Sequence, residues 1–167
     1  MNASPEILTV GHSTHPVERF CALLEAHGVE ALADVRRYPG SRRNPQFGAQ
    51  ALAVSLEEVG IAYESFGEEL GGRRRSRRPR GEASGWRNPS FAAYAEYAET
   101  PEFRAGLERL ERLGDRARTA VMCAESDWRR CHRRLIADAL TERGWQVLHI
   151  RSDRRLEPHP ASILEAQ

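Results

Sequence analysis

The sequence predicts an α/β fold, a single three-layer domain of about five mostly parallel strands with helices on both faces. Three observations carry this prediction. Short apolar runs alternate with stretches whose apolar residues recur at helical spacing. Polar clusters follow directly on strand-like runs, where open α/β sheets collect ligands. The 167 residues, 40% hydrophobic and 29% charged, are enough for one full core.

Residues 7–10 (Ile-Leu-Thr-Val) read as the first strand, ending in Gly11-His12-Ser13-Thr14-His15. Pro16 then suits the first turn of a helix, with Val17, Phe20 and Leu24 at helical spacing and Gly28 as the stop. Residues 31–35 form a second strand, punctuated by Pro39-Gly40. Leu52, Leu56 and Val59 make a second helical stripe closed by Gly60, and residues 61–65 a third, weaker strand. No period is visible from 66 to 89, which reads as a long basic loop. Phe91, Tyr94 and Tyr97 restore helical character, and after Thr100-Pro101 another helix places Phe103, Leu107 and Leu110 on one face. Residues 119–123 are a fourth strand, and Leu135, Ile136, Ala139 and Leu140 mark a helix ended by Gly144. Residues 146–150 are a fifth strand, followed by a short polar tail. No internal repeat and no second domain is visible.

Composition narrows the function. No apolar run is long enough to span a bilayer, and residues 1–5 do not open a signal peptide, so the expected location is the cytoplasm, with no membrane partner. Three cysteines do not make a disulfide framework and read as reduced thiols. The net charge of +1 gives no global argument for nucleic acid. All 25 basic residues are arginine, a bias that discounts every arginine cluster, although arginine is the better bidentate phosphate ligand.

Two clusters carry chemistry. Cys123 and Glu125 lie just past the fourth strand, and Cys131-His132-Arg133 opens the next helix. A thiol near a helix N-terminus and arginines favours its thiolate, as a nucleophilic or redox cysteine requires. The alternative is a buried, inert thiol, and for Cys21, on an amphipathic helix, that reading is preferred. Cys123 and Arg129 also have the C-x5-R spacing of thiol phosphatases, but Glu125 and Asp127 would repel a phosphate and the loop lacks glycine. C-x7-C-H is not a usual zinc spacing, so no metal ligands are assigned, and the sequence leaves any cofactor unknown. If the first, second and fourth strands are neighbours, His12, Asp34 and Arg36 meet the thiols at one rim. There Cys123, Glu125, His12 and Asp34 are the candidate catalytic residues, with Ser13, Arg36, Arg133, Cys131 and His132 for an anion or substrate. The bland alternatives are an Asp34–Arg36 ion pair that orders a loop and a His12 that caps the turn. Arg73, Arg74, Arg75, Arg77, Arg78 and Arg80, with Trp86 downstream, suit phosphate contact and base stacking, or else form a solvated loop.

The ordered set Gly-His-Ser-Thr, Asp-Val-Arg with Pro-Gly-Ser-Arg, Leu-Gly-Gly, Tyr-Ala with Thr-Pro-Glu-Phe, Met-Cys-Ala-Glu and Cys-His-Arg resembles the family known as domain of unknown function 488. The likeness runs from about residue 7 to about 159. It implies an α/β domain of the prokaryotic cytoplasm and no particular reaction. The family's polar positions match His12, Ser13, Asp34, Arg36, Cys123, Glu125, Cys131, His132 and Arg133. The leading expectation is an enzyme acting on a phosphate-bearing substrate, nucleic acid or nucleotide. The alternatives are a non-catalytic nucleic-acid-binding module, or a thiol enzyme of sulfurtransferase or phosphatase type on a small anion.

Overall fold

The computed structural model describes residues 4–40, 42–76 and 86–161. Six strands, β1 (Glu6–Gly11), β2 (Ala31–Asp34), β3 (Ala62–Ser65), β4 (Thr119–Cys123), β5 (Gln146–Ser152) and β6 (Arg155–Pro158), form one sheet in the order β3-β2-β4-β1-β5-β6. The first five run parallel, and β6 returns antiparallel along β5. The sequence shows only a short polar tail where β6 lies. Four residues, Arg-Leu-Glu-Pro, are too short to declare a period of two, and it is pairing with β5 that makes them a strand.

Every residue of β2 and β4 is buried, as befits parallel strands covered on both faces. Alternate side chains serve two cores. Leu8, Val10, Leu32, Ala120 and Met122 meet Phe20 and Leu24 of helix α1 (Val17–Ala26) and Leu52 and Leu56 of α2 (Ala49–Glu58). Val59, expected on that stripe, follows the last turn and is exposed. On the other face Ile7, Ala33, Val121, Cys123 and Val147 meet the remaining helices, α3 (Gly67–Leu70), α4 (Pro89–Tyr97), α5 (Pro101–Arg116) and α6 (Arg133–Glu142).

Local chemistry starts two of these helices. The Asn88 side chain accepts from the amides of Ser90 and Phe91, Thr100 accepts from that of Phe103, and a proline follows each cap. Helix α3 lies within the stretch read as a loop, and one turn is too short to show a helical stripe. Tertiary contacts hold it: Tyr94 and Tyr97 of α4 donate their hydroxyls to the carbonyls of Leu70 and Glu69, each at 2.6 Å. Arg77, Arg78 and Arg80 lie outside the described residues. Among the described residues no helix is long and apolar enough to cross a membrane.

Candidate functional site

The two sequence clusters meet because β4 lies between β2 and β1, and the three strands end in step. Asp34 pairs in register with Met122, and Gly11 with Cys123. The parallel ladder continues past the strand ends, with the His12 amide donating to the Cys123 carbonyl at 2.9 Å and the Ser13 amide to that of Ala124 at 3.0 Å. Ser13 takes the left-handed conformation, φ 50°, which non-glycine residues adopt at a cost. Gly11 has no side chain for a steric reason: a Cβ there would lie 2.5 Å from the Glu125 carbonyl carbon. The chains leaving β1 and β4 then turn to opposite faces, toward α1 and α6, which opens a crevice at the carboxyl edge.

The thiols of Cys123 and Cys131 are buried side by side, their sulfurs 2.8 Å apart, with Cys131 donating. Burial pushes the Cys123 thiol up, but the hydrogen bond from Cys131 and the nearby Arg133 guanidinium outweigh it, so Cys123 lies below the ordinary thiol range. The same hydrogen bond, with burial and the Cys123 charge, holds the Cys131 thiol well above that range. Cys131 directly precedes the start of α6, and the Arg133 amide points at its sulfur at 3.4 Å. His132 Nε2 is 3.0 Å from the Val35 carbonyl, which only accepts, so Nε2 carries the proton and the unprotonated Nδ1 faces the Cys131 sulfur at 3.4 Å. Burial pushes His132 down to about 4. The ring lies against Tyr94, and Gly72 leaves it room, since a Cβ there would meet Nδ1 at 3.0 Å.

Beside the thiols, Asp34, Arg36 and His12 form a closed set. Asp34 accepts from Arg36 Nε at 2.9 Å, from its Nη2 at 2.8 Å, from its backbone amide at 3.0 Å and from the Tyr63 hydroxyl at 2.5 Å. With these bonds Asp34 orients Arg36 and has little capacity left as a base. Burial drives His12 below its ordinary value, and its two nitrogens bond the Ser13 carbonyl at 2.8 Å and Arg36 Nη1 at 3.3 Å. Its ring stacks on Phe47. The guanidinium of Arg36 is thus fixed on two sides, and it lines the cleft.

That cleft, about 440 Å³, is walled by Arg36, Arg37, Arg73 and Arg130, with Tyr38, Phe91 and Tyr94, and Cys123, Cys131 and Glu125 also line it. Glu125 is exposed, and its carboxylate accepts from the Asp127 amide. Arg133 does not line the cleft. It is 1% exposed, donates to the Ser126 carbonyl at 3.3 Å, and has Nε and Nη1 buried without a hydrogen-bond partner. Arg129 donates to Glu157 at 3.1 Å and lies over the Trp128 ring, so the C-x5-R spacing does not close into a phosphatase cradle. Of the arginine loop, Arg73 lines the cleft, and with Arg74 and Arg75 it lines a neighbouring hollow that also holds Glu96 and Glu99. Arg74 is committed to the carbonyls of Gly71 and Glu68 and to the Tyr97 ring. Trp86 packs on the core under Arg134.

Sequence reasoning missed two features. Tyr38, 61% exposed, has the guanidiniums of Arg37 and Arg73 at 5.6 and 5.7 Å from its ring centre. Its place after Arg36-Arg37 was a usable signal. The second is a buried relay. His159 donates to Asp138 at 2.7 Å, His149 to His159 at 2.9 Å, and Thr9 to His149 at 2.5 Å, with Trp128 stacked on His149. Burial pushes His149 down to about 2. This relay ties β5 and β6 to α6, and no motif links residues so far apart in the chain. Among the described residues no group of three or more His, Cys, Asp or Glu is arranged to hold a metal ion.

Fold and cleft together define an α/β protein with paired thiols at the carboxyl edge of its sheet. The chain belongs to the family described as domain of unknown function DUF488, whose model matches residues 16–140. His12 and Ser13 precede the matched stretch and are joined to it by their amide bonds to the carbonyls of Cys123 and Ala124. No curated protein and no solved structure matches the chain.

Proposed function

We propose that this protein is a thiol enzyme acting on a phosphate-bearing substrate, a nucleotide or nucleic acid, held in the arginine-walled cleft. One observation carries the reading: Cys123, whose thiol lies below the ordinary range, lines the same cleft as four arginines. Cys123 is the nucleophile. Arg36, oriented by Asp34 and His12, contacts the anion together with Arg37, Arg73 and Arg130. Glu125, exposed at the cleft, moves the proton. Arg133 acts from beneath as the counter-charge of the Cys123 thiolate.

The non-catalytic nucleic-acid-binding reading draws on Tyr38, because an exposed ring with two guanidiniums near it suits base stacking with phosphate contacts beside it. Cys123 alkylation, followed by mass spectrometry with and without nucleoside monophosphates and short oligonucleotides, separates the two. Protection that weakens with salt, and is lost in Arg37→Gln/Arg73→Gln, supports the enzyme reading. Salt-dependent binding that leaves Cys123 equally reactive supports the binding module. No binding and no protection at low salt defeats both.

A further inference from the structure

Arg133 poses a charge problem. A fully buried guanidinium normally has a carboxylate beside it, because an isolated buried ion is costly. Here its one hydrogen bond goes to a neutral carbonyl, and Nε and Nη1 have none. The two thiols lie beside this residue: its backbone amide points at the Cys131 sulfur at 3.4 Å, and its charge favours the ionised form of both Cys123 and Cys131. The two sulfurs are 2.8 Å apart, and a disulfide bond is about 2.05 Å long. Closing it requires the sulfurs to approach by less than about 1 Å. The two residues belong to different elements, the end of β4 and the approach to α6, joined by a short loop.

We propose that Cys123 and Cys131 are a redox couple that closes reversibly to an intramolecular disulfide by exchange with a small anionic disulfide entering the arginine-walled cleft. Both cysteines line the cleft and both thiols are nearly buried, so the roles follow from their hydrogen bond, in which Cys131 donates and Cys123 accepts. Cys123, as the thiolate, attacks one sulfur of the small disulfide RSSR. A Cys123–SR bond forms, the S–S bond breaks and RS⁻ leaves. Cys131, already in contact with Cys123, attacks the Cys123 sulfur and expels the second RS group. The Cys131 proton passes to that departing thiolate, with the His132 Nδ1 lone pair beside it to accept it transiently. The sum is a dithiol oxidised to a disulfide while RSSR is reduced to two thiols. A small dithiol runs the exchange backwards. Cys21 lies on α1 on the opposite face of the sheet and takes no part.

This inference rests on the same cleft and the same Cys123 thiol as the proposed function but needs no phosphate substrate, so thiol counts test it whether or not nucleotides protect Cys123. The test treats the reduced full chain with glutathione disulfide or with the neutral 2-hydroxyethyl disulfide, then counts free thiols and maps them by mass spectrometry. The expected result is a fall from three free thiols to one, a Cys123–Cys131 linkage, and reversal by dithiothreitol. Glutathione disulfide should act at least several-fold faster than the neutral probe. Cys131→Ser should stop at a mixed disulfide on Cys123, and Cys123→Ser should not react at Cys131. Three thiols retained in the folded wild type, while the urea-unfolded chain oxidises, would overturn the proposal without reliance on any variant. A mixed disulfide on Cys131 in place of Cys123 would overturn the assigned roles, and equal rates for the two probes would remove the anionic class.

Discussion

Replacing Gly11 by alanine tests the join between the two halves of the site. The new Cβ would stand 2.5 Å from the Glu125 carbonyl carbon and 2.8 Å from Ser126 Cα, and closer still to the Glu125 oxygen. Ordinary contact begins near 3.4 Å, so the loop after β4 must withdraw by about 1 Å or more. That withdrawal strains the two backbone bonds from His12 to Cys123 and from Ser13 to Ala124. Two such bonds are worth about 2 kcal/mol together, and overpacking adds about 1–3 kcal/mol. The expected loss is about 3–5 kcal/mol, a large share of the stability of a typical domain. Urea unfolding measures it, and the alkylation rate of Cys123 should change in parallel because the displaced loop carries Glu125 and leads to Cys131. Gly40→Ala, where a Cβ meets nothing within 4 Å, is the control. A loss below about 1 kcal/mol with unchanged Cys123 reactivity would refute the reasoning.

Other expectations concern buried charge. Asp34→Asn leaves Arg36 without its carboxylate and should destabilise by about 3–5 kcal/mol, whereas Tyr63→Phe, which removes one donor to Asp34, should lose only about 1 kcal/mol. Chemical unfolding of both variants checks the ranking. His132 and His149 are neutral in the folded chain, with pKa values lowered to about 4 and about 2, and titrate near 6.5 when unfolded. Below pH 6.5 the unfolded chain therefore binds protons that the folded chain does not, and stability must fall as pH falls. By pH 5 the loss is about 2 kcal/mol for each histidine. Thermal melts at pH 7 and pH 5 measure it, and His149→Gln should reduce the difference.

Much of the architecture is local and was therefore legible in the chain. Strands β2 and β4 are continuous apolar runs, the Asn-Pro and Thr-Pro pairs cap α4 and α5, and polar residues following each strand marked the rim. His12, Asp34, Arg36, Cys123, Glu125, Cys131 and His132 were all named from such signals. Two elements escaped, α3 and β6, because each is four residues long and is held by its neighbours, through the Tyr94 and Tyr97 hydroxyls and the β5 ladder.

What each named residue faces was decided only in three dimensions. Spacing along the chain paired Cys123 with Arg129, yet folding turns Arg129 onto Glu157 and Trp128 and sets Arg133 near the thiols. Asp34, expected either among the catalytic residues or in an ion pair with Arg36, accepts hydrogen bonds from Arg36 and Tyr63, and the Tyr63 contact exists because β3 lies beside β2. Residue type and periodicity determine which groups are available and which of the longer segments are helix or strand, since both depend on neighbours within a few residues. Strand order and register determine distances between groups a hundred residues apart, and a hydrogen bond or a thiolate depends on distances of about 3 Å. The sequence by itself thus determined the α/β class and the set of chemical groups at the rim. The tertiary structure alone decided that the two sulfurs touch, that a buried arginine lies near them, and that four others wall the cleft that the two cysteines line.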